Sequence, residues 1–160
     1  MIKRHQKRCG RRGNNPPKHN VSPLYATIIG VVPPCPRCKR IYDLTVEILN
    51  ELGINATVKK VAFDSEEAQR YGRTGTAHHV AAWAQINIDW EKIWALASEG
   101  WSKELDEALM PCKERADAEG WLMTPVLLIN DKVIFTGYVP DKEVLKRELE
   151  NHYQKEVDTL

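Results

Sequence analysis

Cys35-Pro36-Arg37-Cys38 sets two thiols three residues apart, close enough along one helical turn for one sulfur to reach the other and close a small disulfide. The chemistry that follows is two-electron exchange, in which a thiolate attacks a disulfide sulfur and passes through a mixed disulfide. Zinc uses the same spacing. A metal-binding module built on Cys35, Cys38 and a third ligand such as His78 or Cys112 is therefore the competing reading of the motif. His78 and His79 are neighbours, and neighbours on a helix point about 100° apart, so at most one of them joins such a set easily.

The elements around the motif favour exchange. The apolar run Leu24 to Val32 reads as a strand that delivers Cys35 to a sheet edge. Ile41, Leu44, Ile48 and Leu52 recur at three and four and predict a helix that begins near Arg37 and ends at Gly53. Pro36 suits its first turn, where no backbone donor is needed. At that helix end, unpaired N–H groups and the macrodipole favour thiolate over thiol. Cys35 is thus the expected nucleophile and Cys38, one turn in, the resolving thiol. Arg37, Lys39 and Arg40 put cations where the macrodipole disfavours them by about 0.3–1 kcal/mol each. A broken local rule of this kind points to function, and Arg37 is expected to lie near the Cys35 sulfur and stabilise its thiolate.

Residues 55–62 read as a second strand parallel to the first, and Asp64 with Glu67 has the spacing of a cap for a short helix ending at Gly72. Residues 73–120 form a helical insertion. Within it Val80, Trp83, Asn87, Trp90, Trp94 and Ala97 share one helical face, Asp89 restarts the helix, and a further helix runs from Ser102 to about Ala118. Trp83, Trp90, Trp94 and Trp101 are expected to be the insertion's own core, with a peptide-binding groove as the less ordinary alternative. Removing a true insertion should leave a soluble redox core. Val126–Ile129, the turn Asn130-Asp131 and Lys132–Thr136 read as a hairpin. A final amphipathic helix starts at Pro140-Asp141, with Val144, Leu145 and Leu149 as its apolar positions.

Composition bounds the function class. The 160 residues carry a net charge of +1, but residues 1–20 hold seven Lys/Arg and no acid. The remainder carries 16 basic against 22 acidic residues, so a basic tail, expected to be disordered, precedes one acidic domain at 21–160. The tail has no interleaved aromatics, which argues against specific nucleic-acid binding. The run at 21–32 is shorter than the roughly 20 apolar residues a membrane span needs. Four cysteines are too few for a disulfide scaffold and favour a reducing, cytoplasmic setting. Cys9 and Cys112 read as inert.

The order of strand, C-x-x-C helix, strand, helical block, Thr124-Pro125, hairpin and terminal helix resembles the thioredoxin superfamily, over about residues 24–72 and 121–153. Residues 124–137 are similar to the last hairpin of small thioredoxin- and glutaredoxin-like proteins. The inserted block is similar in layout to that of periplasmic thiol oxidases. Pro-Arg between the cysteines matches neither the Gly-Pro of ordinary thioredoxins nor the Pro-Tyr of glutaredoxins. The resemblance implies an α/β thioredoxin-like fold (β-α-β, helical insertion, β-β-α) with a mixed four-stranded sheet. It also implies a cis bond at Pro125, a substrate-binding role for the backbone of Thr124 beside it, and thiol-disulfide oxidoreductase activity without a bound cofactor or metal. The partners implied are disulfide-containing proteins or low-molecular-weight thiols, together with a reductase or thiol pool that recycles the enzyme. A non-catalytic adaptor is the third reading of the same fold.

Overall fold

The computed structural model describes residues 23–32 and 34–158, with side chains as far as residue 153. The basic segment 1–20 and Cys9 lie outside the described residues. The fold is α/β, a mixed four-stranded sheet with seven helices among the described residues. β1 (Leu24–Gly30) leads into α1 (Pro36–Leu52) and then β2 (Ala56–Ala62). After α2 (Glu66–Gln69) and a short β3 (Thr74–Gly75) come four helices: α3 (Ala77–Ala84), α4 (Trp90–Ser98), α5 (Lys103–Ala108) and α6 (Met110–Glu119). The chain closes with β4 (Leu122–Met123), β5 (Val126–Ile129), β6 (Lys132–Thr136) and α7 (Lys142–Asp158).

The main sheet has the order β2-β1-β5-β6. β1 pairs parallel with β2, Leu24 opposite Ala56 through to Gly30 opposite Ala62, and antiparallel with β5 on its other side. A strand central to the sheet is covered on both faces, which is why β1 reads as a nearly continuous apolar run. On one face Leu24, Ala26 and Ile28 pack with Ile41, Leu44, Ile48 and Leu49 of α1 and with Leu145 and Leu149 of α7. On the other, Ile29, Val61, Val126 and Leu128 meet Ala68 of α2. Gly53 caps α1 in the left-handed conformation, its N–H donating to the end of the helix. Asn130 and Asp131 both take positive φ, the backbone of a tight hairpin turn.

Several boundaries and faces differ from the sequence expectation. β1 ends at Gly30, whose carbonyl takes the Phe63 N–H, and Val32 beyond it is exposed. The cap of α2 is Ser65, not Asp64: its hydroxyl accepts from the Ala68 N–H, and the helix stops at Gln69. The helix expected from Ser102 to Ala118 is two. Ser102 caps α5, and Pro111 opens α6, because a proline deeper in a helix would lose one backbone bond and crowd the carbonyl four residues back. In α7, Leu145 and Leu149 are buried but Val144 is 40% exposed.

The block 73–120 is not purely helical either. β3 pairs parallel with β4, Thr74 with Leu122 and Gly75 with Met123. Its core gathers Val80, Ile93, Leu105, Leu109, Cys112 and Met123, with Trp83, Trp90 and Trp121 packed against it. Trp94, expected inside, is 60% exposed, because the break at Gln85 to Asp89 resets the helical face between α3 and α4. Trp101 packs on the main core instead. Among the described residues no helix is long and apolar enough to cross a membrane.

Candidate active site

Cys35 is the N-cap of α1, with extended backbone, and its sulfur accepts from the Cys38 N–H at 3.5 Å. Pro36 takes the first helical position, where its missing donor costs nothing. The two sulfurs are 3.2 Å apart, roughly 1 Å beyond disulfide bonding distance. Cys38 is buried and Cys35 half-buried, so an approaching molecule meets Cys35 first. Gly30 makes the arrangement possible. A Cβ there would stand 2.7 Å from the Cys38 sulfur, so α1 can lie this close to β1 only above a residue with no side chain.

The electrostatics separate the two thiols. The Cys35 pKa is lowered from 9.0 to about 6, chiefly by the Cys38 side-chain hydrogen bond. Burial opposes this, while the Cys38 backbone N–H and the Arg37 charge assist. Cys38 is pushed strongly upward, first because it is the donor in that bond, then by burial and by the neighbouring Cys35 charge. The pair therefore shares one proton, held on Cys38.

Arg37 does not face solvent. It is 6% exposed, and its Nε donates to Asp106 Oδ1 at 2.7 Å. Nη1 donates to the Thr124 carbonyl at 3.2 Å, and Nη2 to the Gly137 carbonyl. Its charge assists the Cys35 thiolate, as expected, but ranks below the Cys38 contacts. The other two first-turn cations are engaged elsewhere, Lys39 with Asp43 and Arg40 over the Trp101 ring.

The Thr124–Pro125 peptide bond is cis. Thr124 joins Cys35, Pro36 and Arg37 in the lining of one apolar groove of about 300 Å³, which Ile93 and Ala97 of α4 also line. Pro125 is not in that lining. The backbone of Thr124, expected to be free for a substrate strand, is already paired. Its N–H donates to the Gly75 carbonyl at 2.9 Å, and its carbonyl accepts from Arg37. The short β3 thus takes up the N–H and Arg37 the carbonyl.

His78 also lines the groove, stacked on Trp90 at 3.7 Å, with its pKa lowered by burial and by His79. His79 turns away and completes the capping box of α3 with Thr76. Cys112 is fully buried and its thiol is pushed upward by that burial. Among the described residues no group of three or more His, Cys, Asp or Glu side chains is placed to hold a metal ion.

Sequence reasoning missed Asp106. It lies in an acidic stretch that reads as a solvated face, and the available signal was slight: it sits beside Leu105 and three residues before Leu109, on the edge of the apolar stripe. Comparison with protein-family models, curated proteins and solved structures gives no match.

Proposed function

We propose that the protein is a thiol-disulfide oxidoreductase of thioredoxin-like fold, in which Cys35 attacks and Cys38 resolves. The observation that carries this reading is the pair itself: two sulfurs 3.2 Å apart, one half-buried at a helix end with a pKa near 6, the other buried and holding the proton. The sheet order, the C-x-x-C between β1 and α1 and the cis bond at Pro125 accord with the thioredoxin resemblance.

In the reducing direction the Cys35 thiolate attacks one sulfur of a substrate disulfide. A mixed disulfide forms and the other substrate sulfur leaves as thiolate. Loss of the Cys35 charge removes both the acceptor and the repulsion that kept Cys38 protonated, so Cys38 now ionises more readily. Its sulfur then attacks Cys35 Sγ, closing the Cys35–Cys38 disulfide and releasing the second substrate thiolate. Two electrons pass to the substrate and the Cys38 proton to solvent or product. The reverse sequence oxidises a dithiol. No bound cofactor takes part, and a reductase or thiol pool restores the starting state in the cytoplasm.

The substrate is a polypeptide disulfide or a small one presented along the groove beside Cys35. Its lining is largely apolar, and its one permanent charge, Arg37, is already paired. An uncharged segment next to the attacked sulfur therefore fits better than an anionic one. Contact comes through the groove wall and the Thr124 side, not through strand pairing with the Thr124 backbone.

The test is trapping. Cys38→Ser should accumulate mixed disulfides through Cys35 with a disulfide-bonded protein substrate, and Cys35→Ser should have no turnover. Full turnover by Cys35→Ser would remove the proposal.

A further inference from the structure

Arg37 stands between the two cysteines in the chain, yet its guanidinium is spent on other elements. It bonds Asp106 of α5, the Thr124 carbonyl before Pro125 and the Gly137 carbonyl after β6. Asp106 is equally enclosed, at 5% exposure. Its Oδ2 accepts from Trp101 Nε1 at 2.9 Å and from the Val139 N–H at 3.0 Å. Two side chains thus join the start of the redox helix, the helical block, the cis-proline loop and the turn before α7.

Stability alone is a poor reason for such a pair. Taking two ions out of water costs several kcal/mol each, and well-packed apolar residues of similar volume often hold a core equally well or better. What only the charged pair supplies is a fixed field beside the thiols, anchored one residue from Cys38 and two from Cys35. We propose that Asp106 is a positioning and tuning residue of the Cys35–Cys38 pair, acting through Arg37: it anchors the guanidinium and offsets part of the positive charge that the thiols feel. This rests on Cys35 being the redox nucleophile.

The reach of the guanidinium supports the assignment, since its charge favours the thiolate at Cys35, at Cys38 and at Cys112 alike. The other titratable groups facing Cys35 are Cys38 on its own helix and His78 across the groove. Lys39 is exposed and paired with Asp43.

The sign of each substitution follows. Asp106→Asn leaves the guanidinium uncompensated, and the Cys35 titration should move down, because the positive charge that favours its thiolate is no longer offset. At pH 7 that stabilises the reduced protein and raises the potential, by about 30 mV for each tenfold change in the equilibrium. Arg37→Met leaves the carboxylate instead and should move the titration up. Either single change can unfold the chain, because it strands a buried charge. The neutral polar pair Arg37→Gln/Asp106→Asn avoids that, keeps a donor for the Thr124 and Gly137 carbonyls and an acceptor for the Trp101 Nε1–H and Val139 N–H, and should fold, with the Cys35 titration above wild type because the nearer charge has gone.

The experiment is peptide-mapped alkylation of Cys35 against pH, with folding checked by circular dichroism and the potential poised in glutathione buffers. Opposite shifts in the two single variants, or an upward shift in the double variant when the singles do not fold, support the proposal. A folded Asp106→Asn protein with an unmoved or raised titration, or a double variant that titrates as wild type, overturns it. Failure of the Cys35–Cys38 pair to cycle would show separately as a missing poise in wild type.

Discussion

Replacing Cys38 with Ala removes the largest influence on Cys35, the hydrogen bond from the partner thiol, and leaves the helix end in place. With a pKa of about 6, Cys35 at pH 7 is roughly ten parts thiolate to one part thiol, against about one part in a hundred for a thiol at 9.0. A low pKa also weakens the nucleophile. Over three pH units, a Brønsted slope of about 0.4–0.5 lowers intrinsic reactivity roughly twentyfold. The thiolate fraction wins at pH 7, leaving Cys35 about fourfold faster than the ordinary thiol, and loses above about pH 7.7, where the two rates cross. A hydrogen bond to a charged group contributes about 1.5–3 kcal/mol, roughly one to two pH units. Cys38→Ala should therefore move the inflection of the Cys35 alkylation rate up from about 6 by that amount and raise the plateau above it. Peptide mapping separates Cys35 from Cys9 and Cys112. A wild-type inflection above 8, or a Cys38→Ala inflection still near 6, would refute the reasoning.

Other outcomes follow from the same geometry. Gly30→Ala drives a Cβ to 2.7 Å from the Cys38 sulfur; overpacking of this kind costs about 1–3 kcal/mol, and denaturant titration should show the loss together with a changed Cys35 titration. In the reduced protein, the folded Cys35 pKa lies below its unfolded value, so between about pH 6 and 9 the unfolded chain binds more protons. Stability should accordingly rise with pH in that window, by at most about 1.4 kcal/mol per unit, and the rise should fail above it, where Cys38, raised in the fold, ionises more readily when unfolded. The oxidised protein should lack this slope in matched urea titrations. Excision of 73–120 should abolish cooperative unfolding, measured by circular dichroism, because it removes the Asp106 partner of Arg37, the β3 partner of β4 and the Trp101 ring that packs on the main core. A stable, cooperative remnant would mean that the ion pair is dispensable.

That last expectation reverses the one the sequence suggests, and the reason shows where sequence reading stops. Local patterns carried the site's frame: the stripe of Ile41, Leu44 and Ile48, the cap at Gly53, the Asn130-Asp131 turn, and the C-x-x-C at a helix mouth each follow from neighbours a few residues apart. The bond from Arg37 to Asp106 spans 69 residues, and no periodicity marks it. The charge rule broken at Arg37 was visible, but its resolution, a buried carboxylate from another helix, was not. Likewise the pairing of β3 with β4 rests on two residues from each strand, too few to leave an alternation, yet Gly75 of β3 takes up the Thr124 N–H. Trp94 and Trp101 illustrate a different limit. A run of tryptophans at helical spacing reads as one stripe until a break at 85–89 turns one outward and the chain carries the other to a different core.

The central claim is that Cys35 and Cys38 form a reversible two-electron couple, and it is tested most directly by equilibrating the full chain across glutathione redox buffers, quenching with acid and mapping the disulfides by mass. The account predicts a single transition with the slope of a two-electron couple and an intramolecular Cys35–Cys38 disulfide at its oxidised end, traversed equally from both sides. Absence of that disulfide across the range, or thiols that stay reduced because they hold stoichiometric zinc, would contradict it.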